Sequence, residues 1–176
     1  MKKRVKAKMT GLMALALFGV LAIGGTAFAT PVSPTEAAAL HQELTQLGGI
    51  VQPIGDVNPY GAHFTGQSYL ANLSGTSALP VANVTFAHGA HTYWHIHHGS
   101  CQVLVPQSGR GYYQIWGERP HELKPGMTVT IPAGVKHWHG AAPGTSFQHI
   151  ALMQQKEGVT TEWLEPVDDK DYQALK

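Results

Sequence analysis

The chain has 176 residues, with 12 Lys and Arg, 11 Asp and Glu, 11 His and one Cys, for a formal net charge of +1. A single cysteine excludes an intramolecular disulfide, so stability has to come from packing. Five of the basic residues fall in the first eight positions; from Thr30 onward seven Lys and Arg face eleven Asp and Glu, and that net charge of −4 gives no footprint for nucleic acid or an anionic membrane.

Residues 1–29 have the form of a secretory signal peptide: a basic start (Lys2, Lys3, Arg4, Lys6, Lys8), an apolar run from Leu12 to Ile23, and Ala27-Phe28-Ala29 as a cleavage site. The apolar run is short of the ~20 residues that cross a bilayer, so cleavage after Ala29 and an extracytoplasmic (periplasmic or secreted) product are expected. The remaining residues suffice for one core-bearing domain. In "SPTEAAALHQELTQLGG", Ser33 is placed as N-cap, Pro34 at the first helical position, Glu36 as the return partner of a capping box and Gly48 as the stop. The expected organisation is a helix and lead-in over 30–60, then a barrel with a C-terminal tail over 61–176. Short β-branched and aromatic runs separated by Gly, Pro, Asn and Ser predict an all-β sandwich or barrel. Strands are expected near Thr65–Leu70, Val81–Phe86, Tyr93–His97, Gln102–Val105, Gly111–Trp116, Thr128–Ile131, His137–His139 and Phe147–Gln154. Asp168 is placed as the cap of a last short helix ending near Leu175.

The stretch "GAHTYWHIHHGSCQVLVPQSG" holds four histidines within eight positions. Side chains alternate along a strand, so His95 and His97 share a face, as do His137 and His139 in "KHWHG". Each pair is half a site for a divalent metal, and barrel closure would bring the two together; equally, H-x-H pairs occur on exposed strands that bind nothing. Phe147, His149, Ala151 and Met153 fall on one side of their strand, which makes His149 either a buried base or a core histidine satisfied by backbone. His98 and Cys101 are expected at a pocket mouth. His41, His63, His88, His91 and His121 are expected at the surface, and Tyr93, Trp94, Tyr112, Tyr113, Trp116 and Trp138 in strand packing.

Around the first pair stand Gly89, five residues, His95-Ile96-His97, four residues, Gln102, six residues and Gly109; around the second stand Pro125-Gly126, five residues, Pro132-Ala133-Gly134, two residues and His137. In this spacing the chain resembles the cupin superfamily, which implies an all-β, cupin-type double-stranded β-helix, or jelly-roll barrel. Gln102 stands where that family usually has glutamate, and Ala141 where asparagine is frequent. From Phe64 to Tyr172 the text, with "TYWHIHHGSCQVLV", "GVKHWHGAAPGTSFQHIAL" and "VTTEWLEPVDDKDY", is most similar to small single-domain cupins related to carboxymuconolactone decarboxylase, among them manganese-dependent hydroxynitrile lyases. "HHGSCQ" carries one residue more than their turn. The resemblance implies His95, His97, Gln102 and His137 as metal ligands, with Mn(II) favoured over Fe, Ni, Co or Zn. It also implies a small-molecule substrate, a homodimer, and His149 and His139 as acid and base groups, with His139 alternatively a fifth ligand. Three activities fit: a lyase or isomerase of a small hydroxy or oxo compound, a metal-dependent dioxygenase, and a non-catalytic cupin that binds a metal or a small ligand.

Overall fold

The computed structural model describes residues 30–75 and 79–175. The expected signal peptide and its cleavage site at Ala29 lie outside the described residues. Helix α1 spans Pro34–Leu47, with the Ser33 side chain accepting from the Glu36 amide and Gly48 at φ 93° ending it. The left-handed φ at the stop is one that glycine adopts without Cβ strain. Its buried residues Leu40 and Leu44 are one helical turn apart and pack on Ile54, Tyr69 and Ala87.

Thirteen strands follow among the described residues: β1 Asp56–Val57, β2 Phe64–Thr65, β3 Ser68–Asn72, β4 Val81–Phe86, β5 His91–Thr92, β6 His95–His98, β7 Gln102–Gly109, β8 Gly111–Ile115, β9 His121–Leu123, β10 Val129–Ile131, β11 His137–Ala141, β12 Phe147–Met153 and β13 Thr160–Trp163, before helix α2 at Asp169–Gln173. Asp168 caps α2 by accepting from the Lys170 and Asp171 amides. All strand pairs are antiparallel, in one sheet of order β1-β3-β4-β12-β7-β10 and a second of order β13-β6-β11-β5-β2, with β8 against β11 and β9 against β8. This is the all-β barrel that the sequence predicts.

The expected elements are there, with differences that have physical causes. The strand expected over Thr65–Leu70 divides at Gly66, and the one over Tyr93–His97 starts only at His95, in β6. Strand β7 runs to Gly109, past Pro106, which has no N–H for the ladder. The register against β12 shifts there: Gln148 faces Ser108 while His149 faces Pro106, so Gln107 is an extra residue. The proline is thus absorbed in a β-bulge, opposite a candidate site residue. Strands β1, β5, β9 and β13 were not expected; each is two to four residues long, too short for a periodicity of two to be read.

The barrel core is Val84, Phe86, Ala90, Leu104, Leu123, Ala141, Phe147 and Ala151. A third cluster on the outside of the second sheet joins Trp94 and Trp138 to Val167 and Tyr172, so the C-terminal tail covers that face. His91, expected at the surface, is buried here: its ring stacks on Tyr172 at 3.9 Å and its Nδ1 lies 2.9 Å from the Gly89 carbonyl. The correction has a local cause, since a Cβ on Gly140 would lie 2.4 Å from the His91 backbone, and the glycine lets β5 and β11 close on each other. Trp116, expected in strand packing, lies just past β8 and is 58% exposed, with the Lys136 ammonium 3.5 Å from its ring centre.

Candidate metal centre and catalytic chamber

Antiparallel pairing sets His137 of β11 directly against His95 of β6. Because both strands turn alternate residues inward, His95, His97, His137 and His139 converge in one place. Ring centres are 4.1 Å apart for His95 and His137, 4.9 Å for His95 and His97, and 5.4 Å for His97 and His137. Gln102 arrives from β7 with Oε1 3.1 Å from His137 Nε2, and His149 arrives from β12 with Nε2 3.1 Å from His139 Nδ1. All six predicted site residues are therefore brought together.

Hydrogen bonding at the back of each ring decides what the front presents. The Nδ1–H of His95 donates to the Tyr93 carbonyl and that of His137 to the Val135 carbonyl, both at 2.9 Å. A carbonyl can only accept, so each Nε2 is a bare lone pair turned into the chamber. His97 Nδ1 meets the Thr161 hydroxyl at 2.7 Å, and its Nε2 is buried without a partner. His137 Nε2 therefore faces Gln102 Oε1 as acceptor against acceptor, a repulsion relieved by a cation between them or by a turned amide. Donors inward, backs fixed by carbonyls and a hydroxyl: these residues fit a divalent metal, for which outer hydrogen bonds of this kind orient the ligand rings.

Electrostatics agree. Burial holds His95 well below its ordinary value, with His137 and His97 adding repulsion. Burial, then His137, brings His97 to about 3, and burial brings His137 to about 4. Burial and the facing His149 hold His139 well below the usual range, and burial brings His149 to about 4. All five are neutral at pH 7, the state in which imidazole ligates or accepts a proton.

Among the described residues the tightest triple of donor atoms is His95, His137 and His139, all within 4.8 Å of one another. That triple could hold a metal ion, and it places His139 as near to the cluster as the expected ligands are. Buried Nε2 of His139 and buried Nδ1 of His149 both lack partners, so the two rings share one bond with a free nitrogen at each end. Two arrangements are available. Either His139 donates from Nδ1 and keeps an Nε2 lone pair, or His149 donates from Nε2 and keeps an Nδ1 lone pair.

The walls are mostly apolar, with Phe64, Leu70, Val84, Ala151 and Trp163 among them, and line a narrow pocket of about 50 Å³. A wider cleft of about 780 Å³ lies on the outer face, lined by Trp94, Trp116 and Trp138 with Glu118 and Asp171, and none of the six site residues reaches it. His98 and Cys101, expected at the pocket mouth, do not line the chamber: His98 closes β6 facing out to Glu162, and Cys101 is exposed. Two residues escaped the sequence reading. Thr161 backs His97, and Trp163 lies 4.9 Å from His95. The β-branched and aromatic "TTEW" was the available signal, but four residues do not announce their neighbours.

Residues 82–150 match a family model described as a cupin domain. The (R)-mandelonitrile lyase of Granulicella tundricola is 42% identical over 91 residues, which are 52% of this chain and 69% of that enzyme. A cupin-like protein of Thermotoga maritima, known from a crystal structure, superposes with a TM-score of 0.64 at 34% identity over 72% of this chain and 96% of its own. The DMSP lyase of Ruegeria pomeroyi, at 15% identity and a TM-score of 0.54 over 86% of this chain and 88% of its own, shares the fold. The paired H-x-H strands, the barrel they close and these likenesses together place the chain in the cupin family.

Proposed function

We propose that this cupin is a metal-dependent lyase that cleaves a carbon–carbon bond beside the hydroxyl of a small hydroxy compound, with α-hydroxynitriles as the first class to test. The observation that carries the reading is the buried His139–His149 pair set beside three other inward histidines. Acid–base chemistry and a metal-competent donor set thus share one buried chamber. The likeness to a mandelonitrile lyase supports the same class.

His95, His97, Gln102 and His137 would hold the metal, Mn(II) by resemblance. A bound divalent ion would supply Lewis acidity toward the substrate oxygen, and the neutral Gln102 in place of a carboxylate would leave that acidity less attenuated. The protein's residues carry the proton. His139 Nε2 has one lone pair, so it either ligates or accepts a proton; we assign it the second task. It takes the hydroxyl proton while its Nδ1–H passes to His149 Nε2, and the charge is shared by two rings. As the carbon–cyanide bond breaks, the oxygen becomes a carbonyl and cyanide leaves with the electron pair. The proton returned by the pair gives an aldehyde and hydrogen cyanide in equal amounts. The apolar walls keep water from the charged intermediate stage. The protein would act outside the cytoplasm.

The test begins with elemental analysis of protein made from Thr30 onward in medium with several metals, beside a His95→Ala, His137→Ala double variant. One metal per chain, lost in the variant, is expected, followed by anaerobic aldehyde release from an aromatic cyanohydrin. His149→Ala should retain metal and lose at least a hundredfold in turnover, within the range of general acid–base catalysis. Turnover that requires oxygen would replace the lyase with a dioxygenase, and metal without turnover would leave a binding protein.

A further inference from the structure

We infer that Trp163, backed by His63, is the movable wall through which small molecules enter the histidine chamber. The inference rests on the chamber being the reactive site. His95, His97, His137, His139 and His149 are each no more than 4% exposed, and the pocket that all of them but His137 line has room for only a few water-sized groups. An organic substrate therefore reaches them only if a wall moves.

The part-exposed wall residues are Tyr60, Phe64, Leu70 and Trp163. Leu70 is on β3, which is hydrogen-bonded on both sides, by β1 and β4. Phe64 is wedged between Phe86 and Trp163, each 5.9 Å away. Tyr60 is tied at its backbone, its amide donating to the Asn58 side chain at 3.0 Å. Trp163 is held by ring contacts, with His63 on its outer side. Among the described residues it ends β13, an edge strand with β6 as its one neighbour, and its indole makes no hydrogen bond. What holds it is stacking: the His63 ring lies parallel at 4.7 Å and 5° on one face, while His95 and Phe64 lie further in. His63 itself sits in a one-turn 3₁₀ segment, Gly61–His63, whose backbone is pinned by the Tyr93 amide. A rotation of the indole out of this stack opens the chamber without breaking a ladder bond.

The test is the rate at which diethyl pyrocarbonate modifies individual histidines, read by peptide mass spectrometry on the protein as purified. His149 is the primary reporter, since it lies outside both the assigned ligand set and the His95, His137 and His139 triple; His139 is read beside it on metal-free protein. Wild type should react at His41 and His88 far faster than at the reporters. Trp163→Ala should raise the reporter rates at least tenfold with His41 and His88 unchanged, Trp163→Phe should stay within threefold of wild type, and Trp116→Ala should change nothing. His63→Ala, which alters only a surface turn, should raise them severalfold and decides the question if Trp163→Ala does not fold. Reporter rates unchanged in folded Trp163→Ala or in His63→Ala, or raised equally by Trp116→Ala, would overturn the wall. A metal-free protein with a working wall would instead overturn the proposed function alone.

Discussion

Thr161 shows how much one hydroxyl decides. It holds His97 Nδ1 at 2.7 Å, so that Nε2 faces the chamber. In Thr161→Val the shape is kept and the partner lost, and metal affinity should fall about 10- to 100-fold. Competition against a fluorescent chelator measures this; wild-type affinity in the variant would show that packing alone orients the ring. The buried histidines also dictate a pH response. Free imidazole titrates near 6.5, whereas His97 is held at about 3 and His137 and His149 at about 4, burial being the first cause for each. Above pH 6.5 neither folded nor unfolded chain binds these protons. Below it the unfolded chain takes up protons that the folded chain refuses, so stability declines with acidification from about 6.5 and the decline ends only as the folded groups protonate near 4 to 3. The melting temperature of metal-free protein should drop steadily between pH 6.5 and 4.5; a flat profile would mean that water reaches these rings.

The C-terminal segment is the element most exposed to test. Tyr172 of α2 is buried, stacks on His91, and its hydroxyl lies 2.7 Å from the Gly89 carbonyl and 2.9 Å from the Ala141 carbonyl. Ala141 ends β11, which carries His137 and His139, and Gly89 leads into β5, which pairs with β11, so α2 clamps the sheet from outside. Tyr172→Phe should cost about 1 kcal/mol by removing the hydroxyl, and Tyr172→Ala about 3–5 kcal/mol by leaving a cavity. Urea denaturation would measure both; equal losses would place all the value in the hydroxyl. On the other sheet, Gln148 grips the lead-in to the barrel, accepting from the Gln52 amide at 2.9 Å and donating to its carbonyl at 3.0 Å. The strand β12 therefore carries a structural amide outward and His149 inward at adjacent positions, a change of task that alternation along a strand makes possible.

For the molecule as a whole, metal and fold are linked. The donors converge only when β6, β7 and β11 are assembled, so a bound ion would stabilise the folded chain and not the unfolded one. At a hundred times its dissociation constant it should add about 2.7 kcal/mol. For a domain of this size that corresponds to about 5–10 °C in melting temperature, abolished by a chelator. An unchanged melting point with and without chelator would sink the metal assignment. Homodimerisation, expected by family resemblance, is checked by light scattering, where a monomeric mass would rule it out.

Legibility in the sequence followed sequence distance. The capped helix α1, most strands and the inward faces of His95, His97, His137, His139 and His149 were readable because capping and alternation are local, acting over one to four residues. Gln102 was readable only through the resemblance to the cupin motif. The burial of His91, the bulge at Gln107, Thr161 behind His97 and Trp163 over His95 were not, because each depends on which strand lies beside which. Thr161 and His97 are 64 residues apart and meet only because β13 pairs with β6. The sequence by itself determined an all-β chain with histidines turned to one side of its strands. Tertiary structure alone decided their convergence, their burial and the aromatic wall beside them, since strand pairing and burial are properties of contacts between segments and not of any segment alone.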